Sequence, residues 1–514
     1  MQKERLFLGI DLGSSGVKVI LVNEKGNVAS EGYCEQSINI PYPGWAEQDP
    51  NSWWKAVKIA LRLAIDKITP SNIAAIGISA QMLGLTILDR DLQPIRPCVI
   101  WCDQRSAKER DAHEGDLGLS EILRLTGNYP LTGYWLPKLL WLYKNEPSNF
   151  EKIYKVIFPK DYIRYILTGN LSSEVSDNGG SGLFDVKQRR WSWELIDYYK
   201  FPRQWFPPVL ESADVSGVLL PEIAEELGLP AGIPVAAGGG DQTCCGIGNG
   251  IIEEGLVSVN LGTSGVVFAC TDKLEIDYNR RAVHSFCHSE QQKWAVFGCT
   301  LAAGGSFRWL RDNLALEEQQ YARRMNLDPY DLMTLAASTA PVGSKSLLFL
   351  PYMIGERTPH PDPYASGAFL GLTIRHNRCD MIRSVMEGIT FSLRDSIEML
   401  REFQIDIKQV VASGGGSKSK MWRQMQADVF DTEVITTNIS EGTATGAAIL
   451  AAISAAAFSN TKEACEEMIR ITEAVQPIPE NSYKYNDLYG IYASLYDRLA
   501  PIFPKIFEYA FFKS

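Results

Sequence analysis

The chain has 514 residues, more than one hydrophobic core usually organises, so two or three domains are expected. Apolar residues at 45% and charged residues at 22% are those of a globular enzyme, and a net charge of −11 disfavours a nucleic-acid or anionic-membrane partner. Ten cysteines without metal or disulfide spacing, five histidines without H-E-x-x-H, and no run of 18 apolar residues argue against a zinc enzyme, a disulfide scaffold and a membrane span.

The N-terminus, MQKERLFLGIDLG, lacks the apolar core of a signal peptide, which points to a cytoplasmic protein. Residues 6–22 read LFLGIDLGSSGVKVILV, and their β-branched runs predict strand, turn, strand. A Rossmann or P-loop motif would instead lead from glycines into a helix, and G-x-x-x-x-G-K-[ST] is absent. In PGWAEQDPNSWWKAV, Asp49 as N-cap and Pro50 behind it predict a helix start. AAIGISAQMLGLTILD reads as strand, bend, strand, and CVIWCDQRS as a strand ending on an acid and an arginine. GIPVAAGGGDQTCC is an apolar strand running into three glycines and a lone carboxylate, Asp241, before a helix near Gln242.

Residues 256–269, LVSVNLGTSGVVFA, repeat the first hairpin 249 positions later, about half the chain length. Such a repeat suggests two related halves. Facing turns of this kind expose backbone N–H groups and could clamp a triphosphate between two domains. Arg357 and His360, in GERTPHPDP, read as fixing a proline-rich loop, with a ligand contact by His360 as the alternative. Residues 381–401 carry Ile382, Val385, Met386, Ile389, Leu393, Ile397 and Leu400 at helical spacing, a core helix. In VVASGGGSKSKMWRQMQADVF, Ser417 or Ser419 caps a helix whose Trp422, Met425 and Val429 face a core. EGTATGAAILAAISAA is a small-residue helix able to pack very close to a neighbour, and the aromatic C-terminus reads as helix on a core. Strands and helices alternate through both halves, so the class is α/β.

Taken together, GIDLGSSGVKVILVN, GWAEQDP, IWCDQR, PKLLWL, GGGDQT, VNLGTSGV, LPYMIGERTPH and SGGGSKSKMWRQMQAD, in this order, resemble the FGGY carbohydrate kinases. The resemblance is strongest to the xylulokinase branch and spans roughly residues 6–455. It implies the two-domain fold shared by sugar kinases, Hsp70 and actin, each domain a mixed five-stranded sheet flanked by helices, with the active site in the cleft. Residues 1–250 would form the N-terminal domain and 251–514 the C-terminal one. It further implies ATP and Mg²⁺, with Gly13, Ser14 and Ser15 in the first phosphate loop and Gly262, Thr263 and Ser264 in the second. Gly414, Gly415, Gly416 and Lys418 would lie along the nucleotide. Asp11 would hold or orient the metal, and Asp241 would be the catalytic base. Gln81, Met82, Leu83, Trp101, Asp103, Arg105 and Gln242 would surround the sugar.

Phosphoryl transfer needs positioning, charge neutralisation and removal of one proton. A lone Asp241 suits the last task, and its neighbouring glycines would clear space for the triphosphate. The expected reaction is phosphorylation of a small ketose, D-xylulose, with ribulose, a pentitol or gluconate as alternatives. Glycerol fits less well, because its kinases place an Arg-Glu pair where QMLG stands. A protein-moving ATPase of the actin or Hsp70 kind would lack QMLG, WCDQR and GGGDQ, and a non-catalytic sugar-binding paralogue would not need both Asp11 and Asp241. Two departures bear on the sugar: xylulokinases usually read QMHG where Leu83 stands, and Trp135 occupies a position where the family has a small residue. Both suggest a more apolar or differently shaped pocket. The family often dimerises, which leaves a homodimer open.

Overall fold

The computed structural model describes residues 4–512, and side chains as far as residue 509. The first hairpin forms as the sequence predicts: β1 (Leu6–Leu12) pairs antiparallel with β2 (Gly16–Asn23), which pairs with β3 (Val28–Glu35). On its other edge β1 runs parallel to β4 (Ile73–Ala80). Beyond β4 lie β6 (Pro234–Ala236) and then β5 (Val215–Val218), while β7 (Gly239–Gly240) also pairs with β4.

The second sheet repeats this plan. Its hairpin is β8 (Leu256–Leu261) with β9 (Gly265–Thr271). One side continues to β11 (Trp294–Thr300) and β10 (His284–Cys287), the other to β12 (Gln409–Ser413), β13 (Glu433–Thr437) and β14 (Ile471–Val475). Each sheet therefore has seven strands rather than five. The order β3-β2-β1-β4-β6 corresponds to β11-β9-β8-β12-β13, so a shared five-stranded core carries different additional strands in each half.

The helices follow their sequence signals. Helix α1 (Pro50–Ile65) has Asp49 as N-cap, accepting from the Asn51 N–H, and buries Trp53, Val57 and Leu61 against β1 and β2. Helix α2 (Trp135–Asn145) backs the loops that follow β4. Helix α3 (Asp241–Gly248) begins at the carboxylate after the three glycines. Helix α4 (Arg378–Glu402) is the core helix of the second half, and α5 (Lys420–Phe430) is capped by Ser419. Tyr485, Tyr492 and Phe503 of the C-terminal helices join the same core.

Helix α6 (Gly442–Ser454) belongs to the second half of the sequence but packs on the first sheet. Its approach is so close that a Cβ on Gly9 would sit 2.0 Å from the Ala444 carbonyl oxygen, and one on Gly77 would sit 1.9 Å from that of Ala447. It also crosses α3, where a Cβ on Gly446 would meet the Cys244 oxygen at 1.8 Å. The small residues of this helix set the distance between the halves. Among the described residues no helix is long and apolar enough to cross a membrane.

Candidate active site

The turns of the two hairpins frame a pair of adjoining cavities. The first, open to solvent, is lined by Ser14 from the β1–β2 turn, Ser264 from the β8–β9 turn, and Asp241 and Gln242 from the start of α3. Met82, Leu83 and Trp101 complete one wall; Leu131, Tyr134, Val266, His284, Phe286, Phe297, Cys299 and Arg357 form the remainder. The second is lined by Leu261, Gly262 and Thr263 of the same β8–β9 turn, with Gly415, Gly416, Lys418 and Ser419. The second turn is thus the partition between the cavities.

Asp241 is the first residue of α3. Burial pushes its carboxyl up to about 6, opposed by hydrogen bonds from the Gln242 backbone and side chain. The peptide before it is fixed at both ends: Ser176 Oγ accepts the Gly240 N–H at 3.1 Å, and Thr243 Oγ1 donates to the Gly240 carbonyl at 3.0 Å. Ser289, from the second half, donates to Thr243 Oγ1 at 2.8 Å.

The preceding glycines do not clear space for a ligand, as the sequence suggested. Gly238 is left-handed at φ 77°, and a Cβ there would lie 1.9 Å from the Ile78 oxygen. A Cβ on Gly240 would strike Met82. They let β7 lie against β4 and Met82, which brings Asp241 to the cavity wall.

Asp11 stands at the end of β1. Burial first, then the charges of Asp241 and Glu441, push its carboxyl up to about 8. Its Oδ1 is buried with no hydrogen-bond partner. An orphaned, desolvated carboxylate oxygen of this kind is suited to a cation or an ordered water.

Gln81, Asp103 and Arg105 do not line the cavity, contrary to expectation. Gln81 is buried behind Ser14: it accepts from Ser14 Oγ at 2.9 Å and donates to Gln48 Oε1 at 2.6 Å. Trp101 Nε1 donates to the same Ser14 Oγ at 2.9 Å, so the first turn is held from two sides. Asp103 and Arg105 pair with each other at 2.7 Å; Asp103 also accepts the Ala46 N–H, and Arg105 reaches Glu47 and lies over the Trp45 ring. Fully engaged below the surface, this ion pair sets the path of the Trp101 loop. Gly13, Ser15 and Gly414 also lie outside both linings. Gly414 is left-handed at φ 76°, and a Cβ there would meet Asn260 Oδ1 at 2.6 Å.

Leu83 faces the first cavity from a left-handed backbone, φ 69°, that a leucine rarely adopts. Two residues of α2 hold it there. Trp135 Nε1 donates to the Gly84 carbonyl at 2.8 Å, and Lys138 Nζ donates to the carbonyls of Leu83, Val99 and Ile100 at 2.9–3.1 Å. Burial lowers the Lys138 ammonium to about 8. Trp135 is therefore not a pocket residue: it stacks on Phe158 in the core and acts behind the QMLG loop.

Other lining residues carry no sequence signal of their own. Arg357 was read as a loop-fixing residue but lines the first cavity, whereas His360 stacks on Tyr496 at 3.6 Å. In the second cavity Trp422, read as core, shares the lining with Phe307, Arg308, Asp328, Tyr330, Asp331 and Thr334. Phe307 contacts both Tyr330 and Trp422, an aromatic floor on which a flat ring could stack.

A carboxylate near neutral poise beside a polyol-sized cavity, next to a glycine-lined aromatic cavity, is an arrangement for group transfer between two ligands. Comparison with known proteins agrees. The xylulose kinase of Staphylococcus xylosus is 36% identical over 490 residues, covering 95% of this chain and 99% of that protein. A crystal structure of a "xyloylose kinase" from Brucella ovis superposes with a TM-score of 0.87 at 34% identity, covering 97% of this chain and all of that one. A gluconate kinase from Lactobacillus acidophilus superposes with a TM-score of 0.90 at 27% identity, covering 98% and 100%. The N-terminal domain model of the FGGY family of carbohydrate kinases matches residues 6–248, and the C-terminal domain model matches residues 257–455. With both domain models matched in order around the two cavities, this chain belongs to the FGGY family of carbohydrate kinases.

Proposed function

We propose that this protein transfers the terminal phosphoryl group of ATP to D-xylulose, giving D-xylulose 5-phosphate and ADP. The observation that carries the reading is Asp241: a buried carboxylate with its pKa raised to about 6, at the wall of a cavity bounded by both glycine turns. Above that pH it is ionised and can accept the proton of the acceptor's terminal hydroxyl as that oxygen bonds to the γ-phosphorus and the bond to ADP breaks. Ser14 and Ser264, one from each turn, would steady the transferring group, with the adenine on the aromatic floor. Full-length relatives named for xylulose support the choice of sugar.

Asp11 is the residue that would orient Mg²⁺. Among the described residues no cluster of three or more His, Cys, Asp or Glu could cage a metal, so the ion would be shared with phosphates and water. When bound, it neutralises charge on the phosphates. Asp11 holds a proton up to about pH 8, so loading the site would release one.

The gluconate kinase similarity keeps a sugar acid as a second reading. A panel of pentuloses, pentitols, glycerol and aldonates, scored for ADP release with ³¹P NMR of the product, tests both. Xylulose should give the highest kcat/KM and a 5-phosphate. A higher value for an aldonate would replace the first reading with the second, and acceptor-independent ATP hydrolysis would remove both.

A further inference from the structure

Arg357 supplies the cationic side chain of the first cavity wall. Among the described residues its guanidinium has no ion pair and no hydrogen bond, although it lines the first cavity. Its neighbours in sequence are both turned into the protein. Glu356 accepts from Thr300 Oγ1 at 2.6 Å, from the Leu301 N–H at 3.0 Å and from the Arg357 N–H at 2.7 Å. Thr358 accepts the Cys299 N–H at 2.9 Å and donates to the Ala282 carbonyl. With residues 356 and 358 anchored, the backbone at 357 is held, and the side chain lines the cavity. Five donors on a held, partly buried cation with no acceptor constitute a prepared half of an interaction.

Its location in the cavity is also defined. The anchors tie it to β11, and β11 separates β9 from β10. Arg357 therefore sits on the β10–β11 side, beside His284 and Tyr134. The charge of Arg357 helps hold His284 neutral and bears on Tyr134, whereas Asp241 is shifted only by burial and by Gln242. The guanidinium and the carboxylate thus address different parts of a bound acceptor.

We infer that Arg357 is a substrate-binding residue that grips the oxygens of the acceptor remote from the hydroxyl being phosphorylated. It thereby selects five-carbon acceptors over three-carbon ones. The inference rests on the kinase reading above but not on which sugar is preferred. A guanidinium fork matches an adjacent carbonyl and hydroxyl, and hydrogen bonds to a charged group are worth ~1.5–3 kcal/mol, or roughly 10- to 150-fold in affinity.

The test uses Arg357→Met and Arg357→Lys in the full chain, with the acceptor that the panel shows to have the highest kcat/KM, and with glycerol. Arg357→Met should raise the KM for the five-carbon acceptor by roughly 10- to 150-fold. It should leave the KM for ATP and the melting temperature unchanged, because the guanidinium makes no hydrogen bond or ion pair to the described residues. The ratio of kcat/KM for the five-carbon acceptor over glycerol should fall by the same factor, and Arg357→Lys should recover part of it. A loss confined to kcat or to the KM for ATP would assign Arg357 to the transferring phosphoryl group and overturn the inference. A drop in melting temperature, or an unchanged acceptor ratio, would overturn it as well. If the panel replaces xylulose by another acceptor of five or more carbons, the sugar assignment fails while this measurement stands.

Discussion

The raised pKa of Asp241 predicts the acid limb of the pH–rate profile. An unperturbed aspartate titrates near 3.8, and burial lifts this one to about 6. With that value about nine-tenths of the enzyme carries the base form at pH 7 and about a tenth at pH 5, so kcat/KM should fall roughly tenfold between them. With an unshifted carboxylate the same interval would change the rate by less than about 10%. The assay is ADP release at low acceptor and saturating metal–nucleotide, from pH 4.5 to 8.5, in buffers of constant ionic strength. Asp241→Asn keeps the shape and removes the proton acceptor, and should cost on the order of 10²–10⁴ in kcat. Its residual activity should lack the limb near 6. Asp11 interacts with Asp241, so the limb belongs to the pair, but only the loss of Asp241 should abolish it. A limb near 4 in the wild type, or a limb at 6 that survives in Asp241→Asn, would refute the argument.

Two further outcomes follow from neighbouring residues. Asp11 titrates near 8 when folded and near 3.8 when unfolded, so the native state binds the extra proton between those values and stability falls as pH rises through that window. With metal chelated, Asp11→Asn should raise the melting temperature at pH 8 by one to a few degrees and progressively less toward pH 4, while abolishing most activity; scanning calorimetry across the range would contradict this with a gain independent of pH. Leu83→His would add a polar ring at the cavity wall, so selectivity among xylulose, ribulose and deoxy analogues should change severalfold. Unchanged kcat/KM ratios would show that position 83 does not meet the sugar.

The sequence was most informative where a physical rule is local. Both hairpins, the Asp49 and Ser419 caps and the core face of α4 follow from β-branching, capping chemistry and helical spacing, and the structure has them at those residues. The candidate site was legible where a turn itself carries the side chain, as at Ser14, Ser264 and Asp241. It was not legible where proximity is created by the fold. Asp103 and Arg105 have the composition of binding residues, yet nothing local reveals that Glu47 and the Ala46 N–H engage them from another segment. Arg357 is the converse: only the anchoring of its neighbours to Thr300 and Cys299, remote in sequence, turns it into the cavity. Trp135 was informative for a reason the sequence did not contain, since its bulk fills the core while its indole N–H supports the loop in front.

The position of α6 bears on the order in which the molecule can be completed. Its Ala444 and Ala448 cover the face of the first sheet that carries Phe7, Ile20 and Ala75, residues synthesised some four hundred positions earlier. On that face Gly9 and Gly77 admit α6 to backbone contact. Contacts of such sequence separation form slowly, since the intervening chain must be ordered before they are reached. On the ribosome one face of β1 therefore waits for a helix made some four hundred residues later, while its other face can already be buried by residues of the first half.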